Sequence, residues 1–573
     1  MTEVSIARHH RAANHPLAVR RAVFAALTAA TMAALLGLAA ATLSVGGLGA
    51  LDGALLSLFA VTLPWSVVGL WNGVIGLWLM RTAPDPVAAV FPAASRVADD
   101  EPVVVSTAIL VCVRNEAPER VIGNLRPMLD GLAAAGVAGR FQVYILSDTS
   151  KADIAAREEA QFGALAAAWR DRIAISYRRR ATNDGFKAGN IRDFCERWGA
   201  GHDLAIPLDA DSVMPAEAVL RLVRLMQREP QLGIVQALVV GLPSASAMAR
   251  VFQFGMRLGM RSYTLGSAWW QGDCGPYWGH NAVLRLRPFM EHCALPPLPG
   301  GRAVLSHDQI EAVLMRRAGY EVRVLPQEDL GWEENPPTLL EFIRRDLRWC
   351  AGNMQYWRVL ALPGLPLVSR VQLVLAMLMF LGSPAWIGIL VLGSVAAALS
   401  PGAVVDAEYS SLLLAIILLM WFAPKIATLA DVLARGEARR AFGGAARLMA
   451  GAVLETVFSF LLSPIMWLSH TLFLARLPLG GRLGWDAQAR QDQAVGLGQA
   501  ARRLWPHTAL GVCAISLLAW RNPAAIPFAL VMAGGLALAV PLAVISAAPA
   551  AGRLLVRLGM RSYTLGSAWW QGD

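Results

Sequence analysis

Charge is scarce in this sequence. Asp, Glu, Lys and Arg make up 16% of its 573 residues, hydrophobic residues make up 56%, and the mean hydropathy is +0.47. Ordinary soluble domains carry about a quarter charged residues. That shortage excludes a wholly soluble enzyme and points to a polytopic membrane protein. Cysteine is sparse too. The six present (Cys112, Cys195, Cys274, Cys293, Cys350, Cys513) form no Cys-x-x-Cys pair, and five fall in the most polar part of the chain. They read as reduced thiols of a cytosolic domain rather than as disulfides. Acidic residues are outnumbered, 41 against 51 basic ones, for a net charge of +10. The excess suits basic segments beside anionic membrane lipid and a site for an acidic substrate. Nucleic acid is set aside as a partner, because the arginines are scattered without an aromatic-basic motif.

What the sequence does have is long uncharged runs at both ends. Residues 1–21 are polar and basic, and Val23–Val45 then runs without a charge, long enough to span a bilayer. It is too long for the apolar core of a signal peptide. Leu55–Met80 is a second such run, with Pro64 and three Trp, and it ends at Arg81. Basic residues at both outer ends of this hairpin predict a cytoplasmic N-terminus and a cytoplasmic segment after Arg81. Further apolar runs cover Val371–Leu399, Leu412–Ala430, Leu448–Ala475, Ala509–Trp520 and Ala524–Ala547. The count is six or seven spans, depending on whether the short Ala509–Trp520 crosses. Lys425 and Glu455 fall at membrane depth, where a charge marks a functional site or else snorkels at a helix end or packs between helices.

Between the two groups the pattern changes. Val103–Val113, Phe141–Leu146, Ile173–Tyr177 and Leu204–Leu208 read as strands. Pro118–Ala135 and Ala152–Trp169 read as helices, and Pro215 opens another. Strands alternating with helices predict a mostly parallel sheet with both faces covered. The expected organisation is a cytosolic N-terminus and transmembrane hairpin (1–82), an α/β domain (83–365), a membrane region (366–556) and a tail (557–573). The tail repeats an internal segment without a mismatch: Arg557–Asp573 copies Arg257–Asp273. True structural repeats diverge and span about 20–50 residues. This copy therefore reads as an artefact or a recent duplication, and deleting everything after Gly552 is expected to be silent.

The strand Leu204–Leu208 delivers Asp209-Ala210-Asp211 at its C-terminal end, where open α/β sheets bind ligands. Two carboxylates one residue apart suit a hard divalent cation, or simply a solvated strand end. Arg114-Asn115-Glu116 and Ser147-Asp148-Thr149-Ser150 follow the first two strands, facing a nucleotide or forming turns. Asn183–Asn190 combines glycines with Lys187, suited either to a phosphate or to a helix start. Gln271–Asn281 is dense in aromatic, glycine and polar residues, as in a sugar platform, though Tyr277 and Trp278 fit a core equally. Asp308 precedes an amphipathic helix, as an N-cap or as a general base. Arg348 and Trp349 lie side by side before the membrane, as a diphosphate clamp and sugar stack or as an interfacial anchor.

The order of these clusters resembles the processive family 2 glycosyltransferases, which include cellulose and hyaluronan synthases. Tyr277–Asn281 (YWGHN), Glu291–Pro299 (EHCALPPLP), Leu305–Asp308 (LSHD), Arg316–Gly319 (RRAG) and Arg348–Cys350 (RWC) resemble more closely the glucans biosynthesis glucosyltransferase H family. The likeness covers roughly residues 15–550. The Gln of the usual Gln-x-x-Arg-Trp is Arg345 here, which suits that branch. Some members carry a long polar N-terminal extension that this sequence does not show, which puts regulation through it in doubt.

The resemblance implies an α/β GT-A-type cytosolic domain inserted in a polytopic α-helical membrane domain of the bacterial inner membrane. It implies an inverting transfer from UDP-glucose to a growing β-1,2-glucan, with Mg²⁺ or Mn²⁺ at Asp209 and Asp211. Asn115, Glu116, Asp148, Lys187, Asp209 and Arg348 would bind the donor, and Asp308 would be the base. Tyr277, Trp278, Gly279, His280 and Trp349 would meet the acceptor and product. Membrane lipid and periplasmic glucan-processing proteins are the implied partners. The rivals are another processive synthase (β-1,4-glucan, hyaluronan or chitin) and a non-catalytic transporter, which would need none of Asp148, Asp209, Asp211 and Asp308.

Overall fold

The computed structural model describes residues 3–298, 303–399, 405–479, 493–558 and 560. Two long helices, Glu3–Leu43 and Ala50–Thr82, form the N-terminal hairpin. Leu367–Leu399, Ala407–Ala434 and Ala445–Arg476 follow the central domain. Among the described residues, five helices are long and apolar enough to cross a membrane. The last expected span departs from a single rod: Pro523–Ala537 and Ala539–Ser546 meet at 53°, and counting them as one span gives six. The short run Ala509–Trp520 lies inside a longer helix, Leu497–Arg521, which is not among the five.

The central domain carries a seven-stranded sheet ordered β3-β2-β1-β4-β7-β5-β8. Its strands are β1 (Thr107–Val113), β2 (Phe141–Ser147), β3 (Ala174–Arg179), β4 (Leu204–Asp209), β5 (Leu232–Ala237), β7 (Ala282–Arg285) and β8 (Glu321–Leu325). A two-stranded sheet pairs β6 (Val239–Gly241) with β9 (Gly331–Glu333). β7 runs antiparallel to both neighbours, and the other pairs in the large sheet are parallel. This is the GT-A-type α/β domain that the resemblance implies. Its central strands are apolar along their length because helices cover both faces. Helices Pro118–Ala134 and Ala152–Trp169 pack on one face, and Phe186–Trp198 and Asp308–Arg317 on the other.

Register sets the position of the site. Val113 lies opposite Ser147 and Cys112 opposite Asp209, so β1, β2 and β4 end level with one another. Asn115, Asp148 and Asp209 therefore leave the sheet along one edge.

The helix Ala247–Gln271 joins this domain to the membrane helices. A Cβ at Gly76 would collide with the Ser262 carbonyl, and one at Gly266 with the Asn72 carbonyl. Glycine at both points lets the two backbones touch. Trp270 Nε1 then donates to Asn72 Oδ1 at 3.0 Å. Between membrane helices, Lys425 Nζ lies 2.6 Å from Glu455 Oε1 and 3.0 Å from Ser459 Oγ. The two charges at membrane depth thus pair with each other.

The helix Pro549–Arg557 lies on Ala247–Gln271, with Leu555 and Met560 in a shared apolar cluster. Arg250 Nη1 donates to the Met560 carbonyl at 3.0 Å. Deletion after Gly552, silent on the sequence reading, strips these contacts. The remaining tail, 561–573, lies outside the described residues. We expect deletion after Met560 to leave the melting temperature and activity unchanged, and deletion after Gly552 to lower the melting temperature. Thermal unfolding of the two purified truncations checks this.

Candidate functional site

The site sits on the edge where β1, β2 and β4 end. After β1, Asn115 adopts φ 56°, a left-handed conformation that Asn tolerates better than most residues. Its side-chain oxygen accepts from the backbone N–H of Ser150 (3.1 Å) and Lys151 (3.0 Å), and its own N–H donates to Thr149 Oγ1 (2.8 Å). Asn115 therefore ties the loop after β1 to the loop after β2. Buried Glu158 tightens the same loop, accepting from Ser147 and Thr149, each at 2.6 Å. Glu116 leaves the same turn.

Asp148, at the end of β2, is buried and held by both arms of Arg180, each at 2.7 Å. Arg180 also donates to the Asp184 and Phe186 carbonyls at 3.0 Å, which fixes the start of the helix carrying Lys187. The turn before that helix has Gly185 at φ 69° and Phe186 at φ 52°. A phenylalanine in that region is strained, and the network on Arg180 holds it there.

Lys187 Nζ bonds Asp209 Oδ1 and donates to the Gly279 carbonyl at 2.7 Å. Burial opposes its ammonium, but Asp209 beside it outweighs this and raises its pKa. On the other carboxylate oxygen, Asp209 Oδ2 lies 3.6 Å from His280 Nδ1, and His280 Nε2 lies 3.1 Å from Glu333 Oε2. His280 Nδ1 also faces the Trp278 carbonyl at 3.1 Å. Burial disfavours the imidazolium, yet Asp209 and Glu333 raise its pKa to about 9. Burial likewise opposes charge on Glu333, and the His280 bond pulls its pKa below the usual value. Asp211 is buried just beyond β4.

The YWGHN run reaches the expected base. Gly279 has φ 83°, and a Cβ there would sit 3.4 Å from Asp308 Cβ. Asp308 opens the helix Asp308–Arg317 as its first residue; His307 holds the cap position, and no side-chain cap bond forms. The N-cap alternative is therefore corrected: the cap position belongs to His307, and Asp308 is the first residue inside the helix. Burial raises its pKa, opposed by His307 and Lys187. His307 Nδ1 lies 3.0 Å from buried Glu311 Oε2, one turn further on.

One acceptor expectation changes. Tyr277 is fully buried among Ile310, Val313 and Tyr356, so it is core and cannot be a sugar platform. Trp278 is half-buried, with its N–H on Gln236 Oε1 at 2.8 Å. Arg348 and Trp349 lie on the helix Leu339–Asn353. Arg348 is buried, Trp349 is 42% exposed, and the Arg345 guanidinium stacks on Trp349 at 4.7 Å. The same helix presents Asp346 to His470 of a membrane helix, and His470 Nδ1 meets Ser383 Oγ at 2.9 Å. Ser383 lines a cavity of about 390 Å³ among the membrane helices, together with Trp65, Tyr263, Trp386, Trp421 and Trp467.

Sequence reasoning missed Arg180 and Glu333. Arg180 hides in a run of three arginines, Arg178–Arg180, and Glu333 in Glu333-Glu334-Asn335. Lysine rarity was a usable signal. The chain has three lysines, and two of them, Lys187 and Lys425, pair with carboxylates inside the protein.

Among the described residues, no three His, Cys, Asp or Glu side chains converge as a metal cage. A cation of the Mg²⁺ type usually takes one or two carboxylates and completes its shell with substrate phosphate and water. Asp209 and Asp211 fit such a partial shell, offering carboxylate oxygen only.

Two family models match the chain: glycosyl transferase family 2 over residues 108–293 and glycosyl transferase family group 2 over residues 206–424. The chain is 35% identical over 536 residues to glucans biosynthesis glucosyltransferase H of Pseudomonas paraeruginosa, covering 89% of this chain and 60% of that protein. The enzyme of the same name from Pseudomonas entomophila is 34% identical over 539 residues, covering 89% and 61%. The chain thus spans about three fifths of the length of these relatives. Among solved structures, a mannosyltransferase from Pyrobaculum calidifontis in complex with GDP-Man and Mn²⁺ aligns at 16% identity. Its TM-score is 0.40, and the alignment covers 68% of this chain and 99% of that one.

Proposed function

We propose that the chain is a family 2 glycosyltransferase, the family whose models match residues 108–293 and 206–424, and that it polymerises a β-1,2-glucan from UDP-glucose and passes it across the bacterial inner membrane. The observation that carries this reading is the convergence of Lys187, Asp209, Gly279 and Asp308 at one edge of the sheet. A transporter needs no such carboxylate beside a lysine–aspartate pair.

The donor nucleotide lies over Asn115, Glu116 and Asp148, with its diphosphate toward Lys187, Asp209 and Arg348. Asp209 and Asp211 would hold Mg²⁺ or Mn²⁺, which when bound would offset charge on the departing diphosphate. Asp308 accepts the proton of the acceptor hydroxyl as that oxygen attacks glucose C1. The new C1–O bond forms while the bond from C1 to the phosphate oxygen breaks, and UDP leaves with the electron pair. Attack opposite the leaving group inverts C1. Trp278 and Trp349 border the acceptor path. Beyond them, the cavity of about 390 Å³ with its tryptophans and hydroxyls suits a sugar chain. The α/β domain faces the cytoplasm, where UDP-glucose is made, and the product leaves toward periplasmic glucan-processing proteins.

The test is linkage analysis of polymer made from labelled UDP-glucose by the purified protein in lipid. The expected product is β-1,2-linked glucose. A β-1,4 product, or use of another nucleotide sugar in preference, overturns the assignment.

A further inference from the structure

Glu333 has no contact that the reaction needs, yet it is bound to the centre of the site. It ends β9, and the residue before it, Trp332, exchanges two backbone hydrogen bonds with Val213, each 2.9 Å. Val213 lies two residues beyond Asp211, so β9 is fastened to the strand end that carries both carboxylates. The Glu333 carbonyl accepts from Leu242 at 2.7 Å, which fixes the backbone on the other side. From this frame the carboxylate reaches His280 Nε2 at 3.1 Å, while His280 Nδ1 faces the Trp278 carbonyl and Asp209 Oδ2.

Both nitrogens of that ring face acceptors, so the ring can turn only by breaking a hydrogen bond. Asp209 Oδ2 is thereby faced from a fixed direction by His280, at 3.6 Å, while Oδ1 bonds Lys187. Lys187 can swing to a diphosphate on its long flexible stem. His280 cannot, because Glu333 and Trp278 hold it.

We propose that Glu333 is a positioning residue which, through His280, fixes the Asp209 carboxylate for a divalent cation and the donor diphosphate. The proposal rests on the metal reading given above. Groups that orient a metal-binding carboxylate or histidine from behind typically change metal affinity roughly ten- to a hundredfold when removed.

The readout is Mn²⁺ binding to the purified full chain in the presence of UDP, followed by the electron paramagnetic resonance signal of free Mn²⁺, with no turnover involved. Glu333→Ala should weaken Mn²⁺ binding roughly ten- to a hundredfold at an unchanged melting temperature. Glu333→Gln keeps an acceptor for the imidazole N–H and should lie closer to wild type than to Glu333→Ala. His280→Ala should reproduce the Glu333→Ala loss, and the double variant should be no weaker than either single one. Should Glu333→Ala fail to fold, His280→Ala carries the same test from the other end of the contact. Unchanged Mn²⁺ affinity in Glu333→Ala or His280→Ala overturns the inference. So does a double variant whose losses multiply, or a Glu333→Gln variant as weak as Glu333→Ala. Wild-type protein that binds no Mn²⁺ with UDP overturns the metal reading itself.

Discussion

Asp308→Asn yields a folded protein that binds UDP-glucose and makes no polymer. The helix starting at Asp308 owes it no cap bond, and Asn is as acceptable as Asp near a helix start, so the fold keeps its support. The amide cannot take the acceptor proton, and a loss of roughly two to four orders of magnitude in rate follows. Burial raises the Asp308 pKa. A carboxyl raised in the folded state is stabilising while protonated and costs stability as pH climbs past the unfolded value. At neutral pH the ionised carboxylate is therefore a burden on folding, and Asp308→Asn should hold or raise the melting temperature. The same shift gives a pH signature. Wild-type rate should decline on the acid side at a pH above the ordinary Asp value of 3.8, because the base must be ionised to act. Initial rates from labelled UDP-glucose, a melt and a donor-binding measurement on the variant test all three points. A variant that makes polymer at the wild-type rate removes Asp308 from the chemistry.

The parts of this protein that follow from local pattern were legible in its sequence. Ala152–Trp169 keeps its predicted bounds, and β2 and β4 differ from theirs by one residue at the C-terminal end. Each follows a local pattern, a mostly apolar run in β2 and β4 and helical spacing in Ala152–Trp169, so its neighbours do not alter where it starts. β1 begins at Thr107 instead of Val103 because the intervening backbone bonds to side chains, Val104 to Gln227 and Ser106 to Asp203. β7 and β9 have four and three residues, too short to carry a period, and exist only because the sheet needs partners there. The bend in the last apolar helix pair leaves no trace in composition, since both halves are equally apolar.

The site divides the same way. Asp148, Asp209 and Asp211 stand at strand ends, where sequence can find them. Tyr277 was misplaced because an aromatic beside glycines looks alike in a core and in a binding platform, and only burial separates the two. Arg180 and Glu333 act across loops, 32 and 53 residues from their partners Asp148 and His280, and no local spacing encodes that.

Asp211→Asn should abolish transfer. Asp211 is buried immediately after the strand that ends at Asp209, and its carboxylate is one of only two that the strand end offers to a cation. Asp209 alone would keep Lys187 as its counter-ion, which is how the pair stands without donor. The second carboxylate adds the negative charge that draws a cation into the site against that ammonium. Loss of one charged ligand removes several kcal/mol of stabilisation for the departing diphosphate. At about 1.36 kcal/mol per tenfold change in rate, turnover should fall at least a hundredfold. Asn keeps the size of Asp and one of its two acceptor oxygens, so packing around β4 is kept and the melting temperature should change little. Binding of UDP should lose its dependence on added Mg²⁺ or Mn²⁺, whereas any binding without metal stays as in the wild type. Titrating UDP with and without metal, on both proteins, separates a ligand from a structural carboxylate. If Asp211→Asn turns over at a near-normal rate, the cation is not held at this strand end.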